Sequence, residues 1–246
     1  MFRVLQEARL FEHAFGCYPI DLLISSRHTH MSSLLTRLGA FYLLVCLMST
    51  SFQAQEATST IPANDVFWQN LTQLCGRAYE GQVVAAPEQD TTFKNKKLYI
   101  HFIRCTEDEI RIPLTVGDDH SRTWVLTRRG DGRIQLKHDH RHKDGTPDRL
   151  TQYGGTANNV GLPTQQVFPA DQETADLLPR VANNVWWMEL IADNTFSYGL
   201  QRMGSNTRFC LQFDLSKEVE APLPPWGYDT WGNQDNLYQD YTTGYF

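Results

Sequence analysis

Residues 108–117, "DEIRIPLTVG", decide the fold. Ile110, Ile112, Leu114 and Val116 fall on every second position, with Arg111, Pro113 and Thr115 between them. Side chains alternate across a strand, so a period of two gives one aliphatic face and one mixed face. Pro113 cannot donate to a sheet ladder, which predicts an edge or bulged position. Strand candidates also appear in "GRAYEGQVVA" (76–85), "KKLYIHFIRC" (96–105), "SRTWVLTRR" (121–129) and "GRIQLKHDH" (132–140). Three more follow in "VWWMELI" (185–191), "NTFSYGLQRM" (194–203) and "NTRFCLQFDL" (206–215).

Short polar links such as "CTEDE", "RGDGR" and "MGSN" predict hairpins between neighbours. The tripeptide Arg129-Gly130-Asp131 is read as part of such a turn. Upstream, Val66, Phe67, Leu71, Leu74 and Cys75 have helical spacing over 65–75, with Asn64 or Asp65 as cap and Gly76 as stop. The fold class is therefore mainly β: an antiparallel up-and-down barrel with one short N-terminal helix, or alternatively a β-sandwich. Residues 146–169 read as a long loop over a barrel mouth, with "YGGT" (153–156) as a flexible turn and a helical turn after it in "PADQETADLLPRVAN". The Pro- and aromatic-rich tail, 216–246, reads as disordered. Its alternative is to lay Trp226, Trp231 and Tyr238 on the domain.

The chain begins with a different kind of segment. Arg37 precedes an apolar run, "LGAFYLLVCLM", and then polar residues, the pattern of a secretory signal peptide over 31–55. The run is shorter than the roughly 18–20 residues of a membrane span. Residues 1–30 then read as a non-native upstream extension, with Met31 as the start and 56–215 as a single β domain. The expectation is export to periplasm or extracellular space, with no transmembrane segment in the mature chain. The full chain carries a formal charge of −6. An acidic chain without a basic cluster argues against nucleic-acid binding. Cys75, Cys105 and Cys210 lie beyond the leader, and export predicts one disulfide, its pairing open, with one thiol left over.

The order of elements supports a resemblance. "LCGRAYEGQVV" after a short helix, consecutive hairpins and a closing "YGLQRMGSNTRFCLQFDL" resemble the calycin pattern of lipocalins and fatty-acid-binding proteins. It spans about residues 65–215 by element order alone, and Ala78 stands where the lipocalin G-x-W signature has tryptophan. The resemblance implies a barrel holding a small apolar ligand and transfers no ligand-contacting residue. The chain is also similar to secreted bacterial proteins, a likeness that brings no activity with it.

Candidate site residues follow from alternation. In "GRIQLKHDHRH", Ile134, Leu136, His138 and His140 share one face, while Gln135, Lys137, Asp139 and Arg141 share another that is expected to meet water. If Trp186 and Met188 line the core, Trp187 and Glu189 face away. Phe196, Tyr198, Leu200 and Arg202 share a face, and Arg202 would leave through the open end into solvent or, as an internal arginine does in fatty-acid-binding proteins, meet a carboxylate ligand. The leading function is non-catalytic binding of a small apolar or amphipathic molecule, with Trp124, Trp186, Tyr198 and Phe209 as walls and His138, His140 and Arg202 as polar contacts.

Two other functions are compatible with these residues. One is a metal-dependent hydrolase or lyase. His138 and His140, with Cα atoms about 6.6 Å apart, would bind zinc with His101, His120, Asp144 or Glu189 as third ligand. The other is a structural or interaction protein of the cell envelope, which predicts a filled barrel. An Asp–His–Ser set at 118–121 lacks triad geometry because adjacent side chains diverge.

Overall fold

The computed structural model describes residues 61–192 and 194–231. The expected extension 1–30 and signal peptide 31–55, and the tail beyond 231 with Tyr238, lie outside the described residues. Helix α1 is Ala63–Thr72, and the strands are β1 (Ala78–Ala85), β2 (Leu98–His101), β3 (Arg104–Cys105), β4 (Glu109–Val116), β5 (Asp119–Arg128) and β6 (Ile134–His140). They continue as β7 (Tyr153–Thr156) and β8 (Gln165–Pro169). After helix α2 (Gln172–Leu177) and a 3-10 turn (Pro179–Val181) come β9 (Asn184–Ile191), β10 (Thr195–Arg202) and β11 (Arg208–Val219).

The strands form one antiparallel sheet in the order β7-β6-β5-β4-β2-β1-β11-β10-β9-β8, with β3 added on β4. The sheet curls until its edges meet, giving a nearly closed barrel rather than two packed sheets. At the seam the Asp171 N–H donates to the Gly154 carbonyl at 3.0 Å. The Thr174 hydroxyl donates to that carbonyl at 2.8 Å and accepts from the Gly154 N–H at 2.7 Å. "YGGT" is thus a strand, not a flexible turn. A Cβ on Gly154 would lie 2.0 Å from the Leu136 oxygen, and one on Gly155 1.7 Å from the Pro169 oxygen, so only glycine lets β7 fit here. Residues 146–169 supply two strands of the wall, where a long loop was expected.

Pro113 lies within β4, where β2 pairs with residues 114–116 and β3 with 110–111. It occupies the interruption between those partners, where its missing N–H breaks no ladder. α1 begins at Ala63 with Pro62 before it, so neither Asn64 nor Asp65 caps it. Asn64 instead donates to the Gly132 carbonyl, and Asp65 pairs with Arg128 on β5. These contacts hold α1 against the β5–β6 turn, with Phe67, Trp68 and Leu71 in the core. The Cys75–Cys105 disulfide, Cα–Cα 6.0 Å, fastens the segment after the helix to β3. Cys210 is disulfide-bonded too, so it is not the thiol left over that was expected.

The tail departs from its expected disorder as far as it is described. β11 runs on to Val219, Pro225 is buried, and the Trp226 N–H donates to the His120 carbonyl at 3.1 Å. No described helix is long and apolar enough to cross a membrane.

The seam yields a direct test. Gly155→Ala should lower unfolding stability by about 2–3 kcal/mol, because backbone atoms must move to admit the methyl group. Gly130→Ala, whose Cβ would meet nothing within 4 Å, should change it by less than about 0.5 kcal/mol. Urea midpoints of the two variants check this, and equal midpoints would contradict the seam geometry.

Candidate functional site

The barrel interior is built from alternate residues. Ile110 and Ile112 on β4, Leu126 on β5 and Leu136 on β6 join Phe196 and Phe213 in one buried cluster with α1. Trp124 lies across this cluster. Its ring stacks on Tyr198 with centroids 4.2 Å apart and meets Phe196 and Phe213 at 6.4 and 6.3 Å. On the side away from α1 the packing stops, leaving an open cavity of about 710 Å³.

All seven residues expected to contact a ligand line this cavity: Trp124, His138, His140, Trp186, Tyr198, Arg202 and Phe209. β5 and β6 pair so that Trp124 opposes His138 and Arg122 opposes His140. Met188 on β9 opposes Tyr198 on β10, and Trp186 opposes Leu200. Trp187 faces outward, as the phase of β9 requires, yet it is fully buried in a second cluster with Cys210. Glu189 also faces away from the core, and burial raises its carboxyl above the usual range, with Gln165 opposing the shift.

Other lining residues were not singled out from the sequence. Arg122 lies two positions before Trp124, so alternation alone could have placed it. Tyr153 was hidden by the turn reading of "YGGT". Phe93 and Asp90 come from the link between β1 and β2, and Arg180 from the 3-10 turn. These irregular segments have no period that points a side chain inward. Phe93 packs against Phe209 at 4.7 Å between centroids. Asp90 shapes its loop by accepting from the Phe93 and Lys94 N–H groups at 3.1 Å.

His138 organises the floor. Its Nδ1 lies 2.9 Å from the Tyr153 carbonyl, which can only accept, so Nδ1 carries the proton. Burial pushes the ring down to about 4, opposed by that hydrogen bond and helped by His140 and Lys137. The neutral Nε2 then accepts from the Tyr198 hydroxyl at 2.7 Å. Burial holds the Tyr198 hydroxyl well above its ordinary value, Tyr153 adds to the shift, and a hydrogen bond from Trp124 opposes it. Tyr153 stacks on the His138 ring at 4.4 Å with planes 9° apart. The imidazole is thereby fixed in position, tautomer and charge.

That arrangement bears on the zinc expectation at His138 and His140. Both nitrogens of His138 are engaged, so none is open to a metal. The proposed third ligands do not converge. Asp144 is exposed in the turn after β6, Glu189 faces away from the core, His101 is buried on β2, and His120 Nδ1 lies 3.1 Å from the Leu223 carbonyl oxygen. Among the described residues no three His, Cys, Asp or Glu are grouped to hold a metal ion.

The polar face of β6 also differs from expectation. Lys137 and Asp139 are buried, not open to water. Lys137 pairs with Asp171 at 2.8 Å and Glu173 at 2.7 Å, which ties β6 to the start of α2. Asp139 lies between Arg141 at 3.1 Å and Arg111 at 3.6 Å. Ion pairing makes this burial tolerable and keeps these charges on the outside of the barrel.

Comparisons with protein-family models, curated proteins and solved structures find no match to the chain.

The state of His138 gives a pH signature. Its folded value near 4 lies below the unfolded 6.5, so the unfolded chain binds a proton that the folded chain refuses as pH falls between them. Stability is full above 6.5 and declines toward 4, His138 contributing about 3 kcal/mol to the loss. His138→Gln should flatten this part of the stability–pH curve, measured by urea unfolding from pH 7 to 4. A variant curve parallel to the wild type would contradict the buried, neutral imidazole.

Proposed function

We propose that the protein is an exported, non-catalytic binding barrel that holds a small, partly apolar molecule in the pocket above Trp124. The observation that carries this reading is the half-filled interior: an aromatic layer ends the packed core and leaves about 710 Å³ open beyond it. That volume lies within the range typical of small-molecule sites, about 300–1,000 Å³. A structural barrel gains stability from a complete core, so the interaction-protein reading, which expected a filled interior, has less support. The Cys75–Cys105 disulfide accords with the oxidising compartment that export implies. The arrangement is also that expected from the calycin resemblance.

Binding would be driven by removal of apolar ligand surface from water, about 25 cal/mol per Å² before ordering costs. The rings are already packed against one another and His138 is already hydrogen-bonded, so little side-chain freedom remains to be lost. Nothing in this mechanism requires a bond to be made or broken.

A neutral solvatochromic dye such as Nile red, titrated into the purified protein, should brighten and shift to the blue. Leu200→Trp, which fills the pocket from β10, should weaken dye affinity by about tenfold, about 1.4 kcal/mol, with the unfolding midpoint retained. Equal dye binding by wild type and variant would sink the reading.

A further inference from the structure

We propose that the pocket's ligand is an organic anion with a flat aromatic body, bound ring-inward with its acid group at Arg180 and Arg202. This rests on the binding reading above and adds ligand class and orientation to it.

Three arginines line the cavity: Arg122, Arg180 and Arg202. Arg122 is already committed, bonding Asp119 and lying 5.5 Å over the Phe93 ring. The Arg202 Nε donates to the Asn184 amide oxygen at 3.1 Å, a neutral partner. Arg180 projects from the exposed 3-10 turn shortly before Asn184. Among the described residues neither Arg180 nor Arg202 has a carboxylate at ion-pair distance. The two acids that line the cavity are occupied elsewhere. Asp90 accepts from the backbone N–H groups of residues 92–94, and Asp148 accepts from the Leu150 N–H at 2.7 Å. The mouth thus keeps two guanidinium groups able to take a carboxylate, and their planar donors suit an oxyanion.

The floor offers an anion nothing comparable. Trp124, Tyr198, His138 and the Tyr153 carbonyl use one another's donors and acceptors, and the imidazole is neutral. A charge pushed to that depth would lose hydration and meet the neutral Tyr153 hydroxyl in place of an uncommitted cation. The acid group therefore belongs at the mouth and the apolar body at the floor. Six rings face that body: Phe93, Trp124, Tyr153, Trp186, Tyr198 and Phe209. A flat aromatic ligand meets them through stacked and edge-on contacts and has few rotors to immobilise, whereas a flexible chain loses conformational freedom on entry.

The test compares 2-naphthoate, its neutral amide 2-naphthamide, and decanoate by calorimetry on the purified protein. Naphthoate should bind roughly tenfold tighter than the amide, and its advantage should shrink as salt is raised. In the Arg180→Gln/Arg202→Gln variant the two naphthalenes should bind within about twofold of each other, as expected once the charge-assisted bonds are gone. Arg180→Gln alone sits on an exposed turn and should remove about half of the preference in free energy even if the Arg202 change perturbs folding. Equal binding of acid and amide by the wild type, or an undiminished preference in both variants, would overturn the anion site. Tighter binding of decanoate than of naphthoate would overturn the aromatic body. Either result would leave the binding reading standing, whereas failure of all three ligands and of the neutral dye would remove that reading as well.

Discussion

Closing the sheet is the constraint on which the rest of the structure depends. An open antiparallel sheet leaves two rows of unpaired backbone groups, and joining its edges removes that liability only if the last strands approach closely. Gly154 and Gly155 allow that approach, and Thr174 supplies a hydroxyl to both polar groups of Gly154. The buried Lys137 draws Asp171 and Glu173 inward and so holds the start of α2 over the same seam. Once the edges meet, every strand acquires an inside. The helix α1, pinned by Arg128 and the β5–β6 turn, fills one end of that interior.

The two halves of the barrel divide at Trp124. Below it the core is dense with aliphatic and aromatic side chains. Above it the residues that would complete the packing are replaced by groups with polar ends: His138, His140, Arg122 and Arg202. Burying these without partners would be costly, and the structure avoids the cost in two ways. His138 surrenders its charge and is hydrogen-bonded at both nitrogens, whereas the arginines stay near the mouth. The outcome is a pocket with an apolar, rigid floor and a cationic rim, a division of labour suited to holding one molecule in one orientation.

Much of this was legible in the sequence. A period of two names the inward residues of β4, β6, β9 and β10 correctly, and it brings seven separated side chains to one cavity because the alternation rule is geometric. The same rule stops where the strand ends. Tyr153 was missed because a tyrosine beside two glycines reads as a turn, and only the proximity of the Leu136 and Pro169 carbonyls shows why glycine is needed there. Arg180 and Phe93 were missed because they sit on irregular segments placed by caps and turns. Lys137 was expected in water because its partners, Asp171 and Glu173, lie after β8 and in α2, and Asp139 because alternation shows neither its local pairing with Arg141 nor Arg111 on β4. The histidine spacing suggested a metal, whereas the hydrogen bonds of His138 to Tyr153 and Tyr198 come from other strands and could not be read from that spacing.

The most direct measurement is a two-dimensional ¹H–¹⁵N spectrum of the tryptophan indoles during titration with 2-naphthoate. Trp124 and Trp186 line the pocket, whereas Trp68 projects from α1 into the core and Trp187 lies in the outer cluster. The account predicts that the Trp124 and Trp186 indole signals move in a saturable way while those of Trp68 and Trp187 stay in place. Movement of Trp187 or Trp68 with Trp124 unmoved, or no movement at any tryptophan, would contradict it.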